Sequence, residues 1–234
     1  MQIFVDSASE KHIHELCKQG IVDGVTTNPT IMLKDGVQDI EAAARRICSL
    51  IGEKPLSLEV TSNEHAEMLE QARVFATWGP SMVIKIPVVN EFGESSLDVI
   101  NQLTSEGVAV NATAILSFNQ AMLATKAGAA YVSIFAGRIA DEGNDPVQTI
   151  KNVRYWLDEW EYTGKIIVGS VRTVMDIQNA ALAGAHVITV PPQFFCKMID
   201  HKYTRDTVRQ FNSDAAKAAQ EIAAVHAMVA SNGK

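Results

Sequence analysis

Eight short runs rich in β-branched residues recur along the chain, at 3–7, 23–28, 55–60, 82–87, 108–113, 131–135, 165–170 and 186–191. Longer stretches with helical spacing lie between them. Strands that alternate with helices run parallel, because each crossover returns the chain to the same end of the sheet. Eight units with no Gly/Ser/Pro-rich linker match the number that closes a (β/α)8 barrel, and 234 residues suit the compact end of that architecture. An open doubly wound sheet would need a glycine-rich turn after its first strand, and FVDSASEKH (4–12) holds no glycine. The sequence therefore predicts an α/β fold, a single (β/α)8 TIM barrel over 1–211 with an additional C-terminal helical arm over 212–234.

The intervening stretches support the same reading. Residues 64–78 place Met68, Ala72, Val74 and Phe75 at helical intervals, and 147–160 do so with Ile150, Val153, Trp156 and Leu157. Ser62 or Asn63 is the expected cap of the first of these helices, and Asp145-Pro146 that of the second. The Ala-rich tail offers Ala216, Ile222 and Val225 for one apolar face. That face packs either back on the barrel or on a neighbouring subunit, and the pattern leaves both open.

Charge narrows the partners. The net charge is −7 and the basic residues do not cluster, which argues against nucleic acid and against a polybasic membrane surface. One or two placed arginines still suffice to hold a small anion. Cys17, Cys48 and Cys196 are widely spaced, as reduced thiols of a cytoplasmic protein would be. No leader-like N-terminus and no apolar run of membrane-spanning length stands in the sequence, so a soluble, cytoplasmic protein is expected.

Within SMVIKIPVVN (81–90), Lys85 interrupts an apolar run that should form a buried strand. A buried ammonium is costly unless it is paired or gives up its proton, and a neutral buried lysine is a nucleophile for carbonyl carbon. An edge strand would put the lysine in water, but a closed barrel has no edge. Other run ends are polar as well: Asp6, Thr26 with Asn28, Glu59, Asn111 with Thr113, Ser133, and Ser170 with Arg172. In barrels of this kind the C-terminal ends of the strands form one mouth, where the chemistry sits.

What remains after elimination is covalent catalysis. No histidine pair has metal-ligand spacing, and His12, His14, His65 and His226 fall on helical stretches as solvated faces. His186 opens a strand at the far end of the barrel. Neither a GxSxG serine elbow nor a Walker-type loop is present. Lys85 is left to form a Schiff base with a ketone, which needs a neutral amine, a proton donor and a base. Glu59 and Asp6 are the carboxylates at the mouth, and Thr113 is placed to hold a water between them and the amine. Arg138, Arg172 and Ser170 form a candidate clamp for a terminal anion; a single arginine there is more often a surface salt bridge, but two with a serine beside a candidate lysine weigh against that.

These motifs carry a resemblance. FVDS (4–7), GVTTNPT (24–30), LEV (58–60), VIKIP (83–87), NAT (111–113), AGAAYVSIFAGRI (127–139), GSVR (169–172) and AALAGAHVITVPP (180–192) run in order over almost the whole chain. Together they resemble the small transaldolase and fructose-6-phosphate aldolase family of class I Schiff-base barrels. The resemblance implies that Lys85 forms the Schiff base, that Asp6 and Glu59 manage protons, and that Glu59 and Thr113 hold a water. It implies that Asn28, Asn111 and Ser133 grip the hydroxyls of a dihydroxyacetone unit with support from Thr26, and that Arg138, Ser170 and Arg172 grip a phosphate. It further implies no metal, no organic cofactor, a sugar phosphate or similar anionic sugar as substrate, and a homo-oligomer (pentamer or decamer) in which the C-terminal helix reaches a neighbour.

Four positions divide transferase from lyase. Phe135 stands where the aldolases carry tyrosine, Glu59 where they carry glutamine, and Asn111 with Ser133 follows the transaldolase pattern. The expected activity is therefore that of a transaldolase of the pentose phosphate pathway, acting on fructose 6-phosphate or sedoheptulose 7-phosphate type donors. A lyase of the fructose-6-phosphate aldolase type is the alternative. SLEV, NATAIL, SIFAGR and Thr173-Val174 depart from the family pattern around the mouth, so a sulfonate is the alternative terminal anion.

Overall fold

The computed structural model describes residues 1–232; Gly233 and Lys234, the end of the expected arm, lie outside them. The described chain comprises two compact units, Met1–Phe194 and a second from Phe195 onward. In the first, β1 (Gln2–Asp6), β2 (Gly24–Thr26), β3 (Leu56–Glu59), β4 (Met82–Pro87), β5 (Val110–Ile115), β6 (Tyr131–Phe135), β7 (Lys165–Gly169) and β8 (Val187–Val190) pair in sequence order, and β8 closes onto β1. Every pairing is parallel. The expected (β/α)8 TIM barrel is the observed fold.

The helices are α1 (Glu10–Lys18), α2 (Pro29–Lys34), α3 (Ile40–Ile51), α4 (His65–Ala76), α5 (Leu97–Ser105), α6 (Phe118–Lys126), α7 (Ala136–Asp141), α8 (Pro146–Glu159), α9 (Val174–Leu182), α10 (Pro192–Ile199) and α11 (Lys202–Asn232). Asp145, just ahead of Pro146, caps α8 as its sequence predicts, accepting from the Val147 and Gln148 N–H groups. The start of α4 differs from expectation. Glu64 precedes it without a side-chain cap, because Ser62 instead donates to Glu67 and Asn63 accepts from the Glu91 N–H. Met68, Ala72 and Phe75 of α4 are buried, whereas Val74, about 100° around the helix from Phe75, is exposed.

Strand parity explains both the core and the mouth. Ile84, Ile86, Val132, Ile134, Ile166 and Val168 alternate with inward residues and are fully buried. Deep in the barrel, Phe4, Ile167 and Val187 pack together with Tyr131 against them. Gly24 makes room for this plug: a Cβ there would lie 2.7 Å from the Phe4 ring.

Two short helices beyond the regular eight follow β2 and β6. These extra pieces, α2 and α7, begin at the residues the sequence marks as chemical, after Asn28 and Phe135. Strand β5 carries an irregularity: its register with β6 shifts between Ala112 and Ile115, and Ala114 takes φ 58°. Thr113 sits inside that bulge, the kind of kink that re-aims a side chain at a barrel rim.

Residue 212, the expected start of the arm, falls within α11, which runs unbroken from Lys202 to Asn232. Val208, Phe211, Ile222 and Val225 along it are exposed. Among the described residues no helix is long and apolar enough to cross a membrane.

Candidate active site

Register alone brings three chemical side chains together. Glu59 pairs with Lys85 and Lys85 with Asn111 across β3, β4 and β5, so all three point to the same side of the sheet, into the barrel. The Lys85 side chain is 5 % exposed. Its Nζ lies 2.9 Å from Glu59 Oε2 and donates to the Thr27 carbonyl at 2.7 Å. A buried cation thus meets a carboxylate and a fixed dipole, which is the compensation that burial demands.

Around this amine opens a cavity of about 460 Å³. Asp6, Thr26, Asn28, Glu59, Lys85 and Ser133 line its depth together with Thr189, and Phe135, Arg138 and Ser170 also belong to its wall. Asp6 accepts a hydrogen bond from Thr26 at 2.7 Å. Burial raises the Asp6 carboxyl above its ordinary range; the Lys85 charge and the Thr26 hydroxyl oppose that rise and are outweighed.

The remaining residues are held by local structure. Asn28 turns its Oδ1 to the Ile31 N–H, capping α2 and leaving its NH₂ as the free donor group. Ser133 donates to Asn111 Oδ1 at 2.7 Å, and Asn111 donates to Ser57 Oγ at 3.3 Å, so the amide is oriented from both ends. The loop after β1 is pinned by Asp35, which accepts from Ser7 Oγ and from the Ala8 N–H, each at 2.8 Å.

Not every sequence candidate reaches the cavity wall. Asn111 and Thr113 are fully buried and do not line it; Thr113 Oγ1 has no hydrogen-bond partner in the structure. Arg172 instead lines a separate 210 Å³ cavity and pairs with Asp141 at 2.5 Å, both side chains about half exposed. Arg138 makes no ion pair among the described residues and faces the main cavity. His65 is not the solvated residue expected: it is half-buried, 3.6 Å from Asp98, with its Nε2 unpartnered.

The anion end is joined by close backbone packing. Gly137 N–H donates to the Ser170 carbonyl at 3.1 Å, and Ser170 takes φ 59°. A Cβ on Gly137 would lie 2.2 Å from that carbonyl oxygen. Gly137→Ala is therefore expected to destabilise the fold by about 1–3 kcal/mol and to weaken binding of anionic sugars, as read from urea unfolding and from KM.

The sequence reading missed Thr189, Thr27 and Ser57. Thr189 was reachable, since the rule that marks polar strand ends applies to β8 as to the others. Ser57 lies two residues before Glu59 and so shares its face. Thr27 contributes only a main-chain carbonyl, for which a side-chain pattern has no signal.

A family model described as Transaldolase/Fructose-6-phosphate aldolase matches residues 3–232. The chain is 39% identical over 214 residues to a probable transaldolase of Dehalococcoides mccartyi, covering 92% of this chain and 97% of that one. It is 40% identical over 214 residues to probable transaldolase 2 of Listeria monocytogenes, covering 92% and 95%. A probable transaldolase of Brucella ovis is 40% identical over 223 residues, 95% of this chain and all of that one. Among solved structures, one of mandelate oxidase superposes with a TM-score of 0.57 at 14% identity over 81% of this chain. This chain spans 64% of that oxidase, and the likeness is one of barrel fold alone.

Proposed function

The chain belongs to the transaldolase/fructose-6-phosphate aldolase family, and from that premise we propose that it moves a dihydroxyacetone unit from a ketose with a terminal anion to an aldose acceptor through a Schiff base on Lys85. It is an enzyme of the transaldolase type. The observation that carries the proposal is the Lys85 amine, buried between Glu59 and the Thr27 carbonyl and opening on a sugar-sized cavity that Asp6 shares.

In this reading Lys85 passes its proton to Glu59, the amine so freed attacks the keto carbon, and Glu59 gives the proton back as the carbinolamine loses water. A water held by Glu59 and Thr113 carries that proton, which gives the unpartnered Thr113 hydroxyl its role. Asp6 then takes the proton of the hydroxyl at the carbon beyond the scissile bond. The C3–C4 bond breaks, its electron pair enters the iminium to give an enamine, and the aldose leaves. An acceptor aldehyde takes the enamine carbon, Asp6 returns its proton to the new alkoxide, and hydrolysis frees Lys85.

Asn28 and Ser133 hold the dihydroxyacetone hydroxyls, Asn111 orients Ser133 from behind the cavity wall, and Arg138 with Ser170 receives the terminal phosphate or sulfonate. Arg172 joins them after leaving Asp141. An exposed ion pair is worth only about 0–1 kcal/mol, so that release costs little. No metal or organic cofactor enters any step. We further propose a homo-oligomer in which the exposed apolar residues of α11 pack on a second copy, acting in the cytoplasm on pentose phosphate sugars.

The reading is tested by incubating the protein with fructose 6-phosphate and an aldose phosphate. Transfer predicts sedoheptulose 7-phosphate when the acceptor is erythrose 4-phosphate, with no free dihydroxyacetone. Release of dihydroxyacetone without an acceptor would favour the lyase. Phe135 supports transfer, because it offers no acidic hydrogen to protonate the enamine. Phe135→Tyr is expected to raise the ratio of dihydroxyacetone release to transfer by about tenfold or more; an unchanged ratio would remove this ground for transfer.

A further inference from the structure

We infer that Thr189 is a positioning residue that acts on Asp6 through Thr26, forming a hydroxyl chain across the seam where the barrel closes. The inference rests on the proposed role of Asp6 in the reaction and adds a residue to it.

Three adjacent strands supply the chain. Thr189 lies on β8, Asp6 on β1 and Thr26 on β2; Asp6 pairs in register with Thr26, and Thr189 pairs with Phe4, two residues before Asp6. Thr26 Oγ1 is 2.7 Å from Asp6 Oδ1 and 2.5 Å from Thr189 Oγ1. Thr26 and Thr189 are 2 % and 5 % exposed, so water does not substitute freely at either contact.

Counting hydrogens fixes the direction. A hydroxyl has one hydrogen to give, and an ionised carboxylate only accepts. With Asp6 ionised, Thr26 spends its hydrogen on Asp6. The contact between the two threonines must then be filled by the hydrogen of Thr189. Thr189 thereby keeps Thr26 from turning away, and a chain of aligned hydroxyls is stronger at its receiving end than a single one. The charged groups that face Asp6 are Lys85 from β4, Glu59 from β3 and Asp35 from the turn after α2. None of them contacts Thr189, so the threonine pair adjusts the carboxylate independently of the amine.

Removing the Thr189 hydroxyl frees Thr26 to rotate, and the Asp6 carboxylate loses part of its support. The carboxyl then takes its proton at higher pH.

The test compares Thr189→Val and Thr189→Ser in the full chain. Thr189→Val is expected to lower kcat/KM for ketose phosphate cleavage by about tenfold and to move the acid limb of its pH profile upward. Thr189→Ser should restore both. In an Asp6→Asn background, Thr189→Val should cost nothing further, since the two act as a unit. Carbon-13 NMR of aspartate-labelled protein supplies a readout independent of turnover, with the Asp6 midpoint higher in Thr189→Val than in the unmodified chain. A wild-type pH profile and midpoint in Thr189→Val, a loss that serine does not restore, or an additive loss with Asp6→Asn would overturn the inference. Failure of the unmodified chain to cleave any ketose would strike the function proposed above instead, and the NMR midpoint would still decide the hydroxyl chain.

Discussion

Lys85→Met is expected to lower turnover of a ketose phosphate donor by about 10⁴-fold or more, with the fold retained. Methionine fills nearly the same volume as lysine but has no amine, so no covalent intermediate forms and the reaction loses its electron sink. The substitution also separates chemistry from packing. Lys85 is almost wholly buried and paired with Glu59, whose own side chain is 18 % exposed. Removing the cation therefore leaves a carboxylate that water in the cavity still reaches, not one stranded in the core, and the loss of stability is modest compared with the loss of rate. Initial rates and circular dichroism on the same sample check both halves. A variant that keeps a tenth of the activity would place the nucleophile elsewhere.

Asp6→Asn is expected to lower turnover by about 10³-fold while making the fold more resistant to urea at neutral pH. The sign follows from linkage. Burial raises the Asp6 carboxyl, so the folded chain binds that proton more tightly than the unfolded chain does. Above the folded value the ionised carboxylate destabilises the fold; the penalty shrinks as pH falls through that value and is gone below the ordinary aspartate value near about 4. Asparagine never carries the charge. Its advantage should be full at pH 8 and absent at acid pH, as read from urea midpoints at the two ends. A midpoint unchanged at pH 8 would mean that Lys85 and Thr26 fully compensate the buried charge. Here stability would have been given up for chemistry, which is the trade expected of a functional carboxylate.

Much of this arrangement was legible in the chain itself, for a physical reason. In a closed parallel barrel, a polar residue at the C-terminal end of a strand has only the mouth to occupy. Alternation of side chains then decides which residues face inward. That logic reaches Asp6, Thr26, Glu59, Lys85, Asn111, Ser133 and Ser170 from sequence alone, and applied to the eighth strand it also reaches Thr189.

Other features depend on contacts distant in sequence. Arg172 and Asp141 are thirty-one residues apart, and nothing local foretells that they pair outside the main cavity. The bulge holding Thr113 bends at Ala114, where no glycine or asparagine marks a positive φ. The missing side-chain cap of α4 has the same origin: Asn63 is taken by Glu91, from the loop after β4. Chain direction and parity are encoded locally, whereas the conformers of exposed arginines and loop amides are chosen by whatever the fold brings beside them.

The central claim is that one amine, on β4, captures the carbonyl carbon of a keto sugar. It is tested most directly by adding borohydride to the protein in the presence of fructose 6-phosphate and mapping the modified peptide by mass spectrometry. The account predicts a reduced sugar adduct on Lys85 and none in Lys85→Met. Absence of an adduct with any ketose, or an adduct on a different lysine, would contradict it.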